Sequence, residues 1–284
     1  MIKKLAVHLH LYYIEQLDDI LKKLHSLDGI DFDLFVTLVN ENNDVCSRII
    51  AEFPLVKVFV IENRGYDVGP FIEFLHKINL DDYEYVLKVH SKGKKSNNYT
   101  WINGRRFDNA LWGEIMWDSM LGSKRRVLSN IGILENNNEI GGIGSIYCYS
   151  EDEALYNYLL DEINVSMRKI GLKPLDTFGF VAGCMFLCRA KLLKPLLVYG
   201  CEDFELTDGK VKDNTLAHVL ERVLGAIVKA QGYKILAIKH GVFLCGFWGA
   251  IIKRFLYQKK VTRSGKTIIK VCKIPVYSKC LMRE

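Results

Sequence analysis

The chain has 284 residues, 49% of them hydrophobic and 25% charged, with a formal net charge of +6. That length allows one large core or two modest ones, and no segment is polar enough to read as a disordered tail. The charge is uneven: residues 249–284 hold ten Lys or Arg and one Glu, so the remainder is slightly acidic, which argues against nucleic acid as a partner.

Eight cysteines are present and none forms a CxxC pair. Cys184 and Cys188 have no second ligand pair at zinc spacing, so free thiols in a reducing cytoplasm are expected. No apolar run reaches the roughly 18 residues that a spanning helix needs. The nearest, residues 241–252, is followed at once by Lys253 and Arg254. It is too short to cross a bilayer and suited to lying on one.

In chain order, residues 4–13 read as a strand. Residues 15–27 follow as a helix with Leu17, Ile20, Leu21 and Leu24 on one face. Strand, helix, strand, helix then repeat over residues 32–40, 43–53, 56–63 and 68–78, with Pro70 near the start of the last helix. Residues 83–92 form a fourth strand. Near-continuous apolar strands between helices predict a mostly parallel sheet covered on both faces.

Residues 100–121 and 151–171 carry helical spacing, with a short glycine-rich strand between them at 139–150. A strand at 179–189, a short helix at 190–198, a long helix at 213–232 and a strand at 233–241 complete the body. Residues 258–277 read as a basic hairpin turning near Ser264-Gly265. The expected organisation is one α/β domain over residues 1–240, with a donor half at 1–100 and an acceptor half at 101–240. A basic amphipathic tail occupies 241–284.

In open parallel sheets, ligands bind beyond the carboxyl ends of the strands. Two loops are expected there. Residues 63–69 crowd Asn63, Arg64, Gly65, Asp67 and Gly69 into one connection after the third strand. The glycines allow close backbone approach, and Arg64 offers a fork of donors for phosphate. Asp67 reads either as a partner for a polar ring group or as a helix cap. After the fourth strand, Lys88, His90, Lys92, Lys94 and Lys95 form a burst of charge suited to a diphosphate, with a solvated surface run as the alternative.

The turn Asn63-Arg64-Gly65, the following helix and "YEYVLKVHSK" resemble nucleotide-sugar glycosyltransferases of the GT-A fold. Such enzymes usually end the fourth strand with Asp-x-Asp, which holds a divalent metal. Here Lys88-Val89-His90 stands in its place, so Lys88, His90 and Lys92 are expected to meet the leaving diphosphate instead. No metal or other cofactor is expected, although a divalent cation stays open.

The ordered pieces "AVHLHLYY", "FDLFVT", "NRGYDVGPF", "YVLKVHSKGKKS", "FVAGCMFLCR" and "DNTLAHVLER" are similar to the rhamnan-synthesis F family of bacterial polysaccharide glycosyltransferases. The resemblance implies transfer of a deoxyhexose, typically rhamnose from dTDP-rhamnose, onto a polyprenyl-linked glycan at the inner face of the cell membrane. It places Asp213 as the base of an inverting transfer, with Glu221 and His218 next.

Asn214, His218, Glu221 and Arg222 share one helical face, which reads as a cleft lining or as a solvated face. Gly183 and Arg189 are expected at the acceptor and sugar pocket, and Trp101 as a ring for stacking. His8, on the first strand, reads as a nucleotide contact or as a satisfied core histidine. The basic tail fits an anionic membrane surface or a partner enzyme. The rival to an enzyme is a non-catalytic subunit that binds a glycan or a nucleotide sugar.

Overall fold

The computed structural model describes residues 3–93, 99–102, 105–207, 214–240, 258–261, 267–271 and 274–279. The chain divides into two compact units, Met1–Lys239 and His240–Glu284.

The first four strands come from the apolar runs of the sequence: β1 (Lys3–His10), β2 (Phe32–Leu38), β3 (Lys57–Val60) and β4 (Tyr83–His90). Helices α1 (Leu17–Leu24), α2 (Asn43–Glu52) and α3 (Val68–His76) connect them. The Asn42 side chain caps α2 by accepting from Val45 N. Parallel register sets His8 beside Lys88 and His10 beside His90 on β1 and β4, with Thr37 of β2 beside His10.

The middle of the chain differs from its helical reading. β5 (Tyr99–Ile102) and β6 (Arg105–Asp108) pair antiparallel, and α4 begins only at Asn109 and runs to Leu121. The dipeptide Asn103-Gly104, which lies outside the described residues, is hairpin chemistry that an apolar period alone does not detect. Helix α5 (Lys124–Asn136), β7 (Ile140–Ser145), β8 (Tyr149–Ser150), α6 (Leu160–Lys169), β9 (Phe180–Val181) and β10 (Phe186–Arg189) follow. Residues 190–198, expected as a short helix, form a 3-10 stretch with Pro195 inside it, where the missing N–H disfavours an α-helical ladder. Helix α7 (Leu216–Ala230) and β11 (Lys234–Ile238) close the unit.

The sheet has seven strands in the order β11-β7-β10-β4-β1-β2-β3. Only β10 runs antiparallel to its neighbours β4 and β7. This mixed, mostly parallel α/β fold is the class expected from the sequence. Helices cover both faces. Ala6, Phe35 and Val86 pack under α3, α6 and α7, while Leu5, Val7 and Leu9, which point the other way along β1, are also fully buried. Helix α1 contacts α2 and α4, α4 contacts α5, and α4 and α5 also contact β7.

In the second unit, β12 (Gln258–Val261), β13 (Thr267–Val271) and β14 (Ile274–Lys279) form an antiparallel meander, one strand more than the expected hairpin. The apolar stretch read as lying on a membrane falls outside the described residues. Among the described residues, no helix is long and apolar enough to cross a membrane.

Helix α7 lies against β9 at closest approach through Gly225. A Cβ there would stand 2.1 Å from Gly179 O and 2.7 Å from Phe180 Cα, both backbone atoms with little room to move. Gly225→Ala is expected to cost roughly 1–3 kcal/mol of stability, as overpacking does. Urea unfolding of the variant beside the parent checks it.

Candidate active site

The carboxyl edge of the parallel strands carries the loops after β1, β3 and β4. The first and third are clamped together. Ser91 N donates to His10 O (2.9 Å), and Ser91 Oγ accepts from the amides of Tyr12 (2.9 Å) and Tyr13 (2.8 Å). Gln16 donates to Lys92 O at 2.7 Å and accepts from Lys92 N at 3.3 Å. Tyr12 is left 39% exposed at this edge, and the Lys92 ammonium lies 4.2 Å from the centre of the Trp112 ring. Neither Ser91, Gln16 nor Tyr12 carries a motif that singles it out in the sequence.

The loop after β3 is pinned to residues 204–207. Asn63 exchanges backbone and side-chain hydrogen bonds with Thr207, and Arg64 is spent on Glu62 Oε2 (2.6 Å) and Phe204 O (2.8 Å). Gly65 adopts φ +64, and a Cβ there would strike the Phe204 ring at 2.4 Å, so the close approach this glycine permits is to Phe204. Asp67 follows. It precedes α3 but makes no side-chain cap hydrogen bond, which removes the helix-cap alternative.

Its carboxylate turns to the sheet instead. Asp67 Oδ2 accepts from Lys88 Nζ at 2.5 Å and lies 3.7 Å from His90 Nε2. Lys88 donates also to Cys184 O (3.0 Å), and His90 Nε2 lies 2.8 Å from Gly183 O. Burial alone would raise the Asp67 carboxyl, but His90 (charged only at the low pH where such a carboxyl titrates), Lys88 and Lys92 hold it well below the usual carboxylate range. Burial would lower Lys88, and Asp67 more than offsets that, leaving its pKa raised. For His90, burial outweighs the pull of Asp67, so the ring is neutral at pH 7, and we assign its proton to Nε2, the nitrogen with the shorter carbonyl contact.

This geometry corrects the reading of the charge burst. Lys88 and His90 are inside β4, not beyond it, and Lys88 is fully buried. They alternate onto the sheet face that α3 covers, so neither side chain projects from the strand end. Lys92 does reach past it. Lys94 and Lys95 lie outside the described residues. Of the two readings of His8, the core histidine holds and the nucleotide contact does not. It is fully buried, stacked on Phe74 at 4.7 Å, with Nε2 3.0 Å from Thr37 Oγ1, so it is a core histidine.

The acceptor-side residues divide. Gly183 (φ +83) and Cys184 (φ +60) form a turn whose carbonyls are held by His90 and Lys88 and whose Gly183 amide donates to Glu221 Oε1 at 2.6 Å. The other oxygen of Glu221 accepts from Arg222 (2.7 Å), and Arg222 also reaches Leu155 O and Tyr158 Oη. Glu221 and Arg222 thus brace the turn. His218 is next to the loop after β3, with Nδ1 2.8 Å from Thr215 Oγ1 and its ring edge-on to Tyr66 at 5.6 Å. Arg189 is not brought here. Because β10 runs antiparallel, Arg189 lies beside Tyr85 at the far end of the sheet, holding Leu134 O, Asn137 O and Ile140 O. Asp213 and the side chain of Trp101 lie outside the described residues. Among the described residues, no group of three or more metal-ligating side chains is assembled, and the five cysteines described are free.

The family model described as "Rhamnan synthesis protein F" matches residues 1–233. The chain belongs to the rhamnan synthesis protein F family. Proteins named WxcX from two strains of Xanthomonas campestris pv. campestris are 26% identical over 243 residues, 82% of this chain and 32% of theirs. The chain thus spans about a third of the length of these relatives. Among solved structures, S. aureus TarS (residues 1–349) superposes with a TM-score of 0.44 at 14% identity, covering 83% of this chain and 58% of that one. Glucosyl-3-phosphoglycerate synthase from Mycobacterium tuberculosis gives 0.38 at 11% identity, covering 98% and 90%.

In this member of the family, the wall behind the site depends on neutral histidines. Burial first, and the neighbouring charge of Lys88, push His8 well below the ordinary range, and burial takes His10 down to about 3. A folded pKa below the unfolded value of about 6.5 means the unfolded chain takes up protons first, so stability is lost as pH falls below that value. Each ring contributes a slope approaching ~1.4 kcal/mol per pH unit between about 6.5 and its folded value. Urea unfolding at pH 7.5 and pH 5.0 is expected to show the decline, and His8→Gln with His10→Asn to flatten it.

Proposed function

We propose that the chain is a glycosyltransferase that moves a sugar from a nucleotide-diphosphate donor to a glycan acceptor. The observation that carries this reading is the clamp at the carboxyl edge. Ser91 and Gln16 fix the loops after β1 and β4 against each other, presenting an exposed aromatic ring, Tyr12, and an ammonium, Lys92. A flat ring suits a nucleobase and a fixed cation suits a diphosphate. Asn63, Gly65 and Asp67 border the same edge, and membership of the rhamnan synthesis protein F family supports a sugar as the group transferred.

Within this proposal the donor is dTDP-rhamnose or a related deoxyhexose, and the acceptor a polyprenyl-linked glycan reached from the inner membrane surface, with the basic tail toward anionic lipid. The transfer is inverting and metal-free. Lys92 stabilises the diphosphate as it leaves, and a base from the start of α7 removes the acceptor proton. Asp213 is first for that role and His218 second. Glu221 has both oxygens engaged and serves as a brace.

Calorimetry with dTDP-, UDP- and GDP-sugars, with magnesium or with EDTA, tests the proposal. One nucleotide sugar is expected to bind in EDTA, with affinity falling about tenfold, ~1.4 kcal/mol, in Lys92→Ala. Binding that needs the metal would sink the metal-free step, and no binding by any donor would sink the whole reading. A bound donor that stays intact with every glycan acceptor offered would favour the non-catalytic subunit.

A further inference from the structure

The sequence counts Lys88 among the cations available to a ligand, and the structure takes it away. Both contacts of the Asp67 carboxylate among the described residues fall on Oδ2, from Lys88 at 2.5 Å and His90 at 3.7 Å. Lys88 is fully enclosed, and it also meets Cys184 O at 3.0 Å and has the Phe71 ring 5.6 Å from its ammonium. A diphosphate would reach that ammonium only by displacing α3 or the 183–184 turn. The Asp67 side chain, by contrast, is 22% exposed at the edge where the ligand loops meet.

We propose that Asp67 and Lys88 work as one unit: Asp67 accepts a hydrogen bond from a neutral donor group of the nucleotide sugar, a hydroxyl or a ring N–H, and Lys88 is a positioning residue that touches no ligand. This inference rests on the nucleotide-sugar reading above and assigns the end of the ligand that each loop holds.

Three features support it. An ionised carboxylate is an acceptor only, so it cannot serve a phosphate, whose oxygens are acceptors too. Its orientation is fixed from behind, because Oδ2 is anchored in a strand through Lys88. Its backbone is fixed from below. Gly65 and Tyr66 both have positive φ, at +64° and +55°, and a Cβ on Gly69 would meet Arg64 O at 2.2 Å. An anion held this rigidly discriminates by rejecting analogues that lack the donor group. The diphosphate is then left to Lys92, on the neighbouring loop.

Asp67→Asn alone strands a buried ammonium and risks the fold, so the deciding variant is the double Asp67→Asn, Lys88→Met, which removes both charges together. Calorimetry compares inorganic pyrophosphate, the free nucleoside diphosphates (dTDP, UDP, GDP) and their sugar conjugates. The double variant is expected to bind pyrophosphate as the parent does and the best nucleotide sugar roughly ten- to hundredfold more weakly. A collapsed site would lower both. A loss already seen with the nucleoside diphosphate puts the donor group on the nucleoside, and one confined to the conjugate puts it on the hexose.

Lys88→Met alone is expected to weaken pyrophosphate binding, because it leaves the Asp67 charge uncompensated near Lys92, and adding Asp67→Asn to restore it. A drop that persists in the double variant, with its urea unfolding like the parent's, would overturn the positioning role by showing that Lys88 meets phosphate. Unchanged nucleotide-sugar affinity in the double variant would overturn the assignment of Asp67 alone. Failure of the parent protein to bind any conjugate would overturn the donor reading, and this inference with it.

Discussion

A lysine in the middle of a β-sheet, enclosed by side chains on every side, is tolerable only if its charge is met. Lys88 meets Asp67 at 2.5 Å, and much of the surrounding architecture serves that contact. Removing one member of a buried pair typically costs roughly 3–5 kcal/mol, because the other is left charged in a poor solvent. The pair therefore enforces the position of the first turn of α3 on β4. That position in turn requires the sharp loop after β3, with Gly65 against Phe204 and Gly69 against Arg64 O. One electrostatic requirement thus sets the path of a whole connection.

The same contact extends sideways. Lys88 and His90 hold the carbonyls of Cys184 and Gly183, Glu221 holds the Gly183 amide, and Arg222 links Glu221 to Leu155 O. The chain of hydrogen bonds runs from β4 to α7 through the 183–184 turn. Among the described residues, three non-glycine residues have positive φ: Tyr66, Cys184 and Asn214. Two of them adjoin this network directly, and Asn214 begins the turn that leads into α7. Such backbone costs roughly 1–3 kcal/mol per residue and persists where surrounding contacts over-determine it. Here the over-determination is visible, since three tethers fix one two-residue turn.

Much of the fold was legible because the first ninety residues switch cleanly between periods of two and 3.6, which is all that a covered parallel sheet demands of its strands and helices. Where the reading failed, local chemistry outweighed period. β5 and β6 pair antiparallel within a stretch of helical spacing, and Pro195 turns a helical stretch into 3-10. The site was legible as a place and misread as an arrangement. Residues 63–69 and the end of β4 do converge, but alternation puts Lys88 and His90 on the same face as His8 and His10, and only the register shows that α3 lies over that face. Arg189 was lost for a related reason: strand direction is not written in a strand's own residues. Ser91 and Gln16 act through hydrogen bonds to backbone, which leave no compositional trace.

These corrections change what the basic burst means. A sequence counts charges as if each were free, and on that count five cations wait for a diphosphate at the end of β4. Pairing removes Lys88 from the count, and burial keeps His90 neutral. Of the described residues in the burst, Lys92 is the one that extends beyond the strand end, ordered by Gln16 on its backbone and by Trp112 beneath its ammonium. A single cation about 4 Å from a phosphate oxygen attracts it by on the order of 4 kcal/mol at a partly screened edge before the desolvation of both groups is subtracted. Placing Asp67 nearby costs little of this, because Lys88 already compensates its charge. The buried pair therefore lets an acceptor oxygen stand close to an anion-binding cation without cancelling it. That separation of charge is what a ligand with an anionic middle and neutral hydroxyl-bearing ends requires.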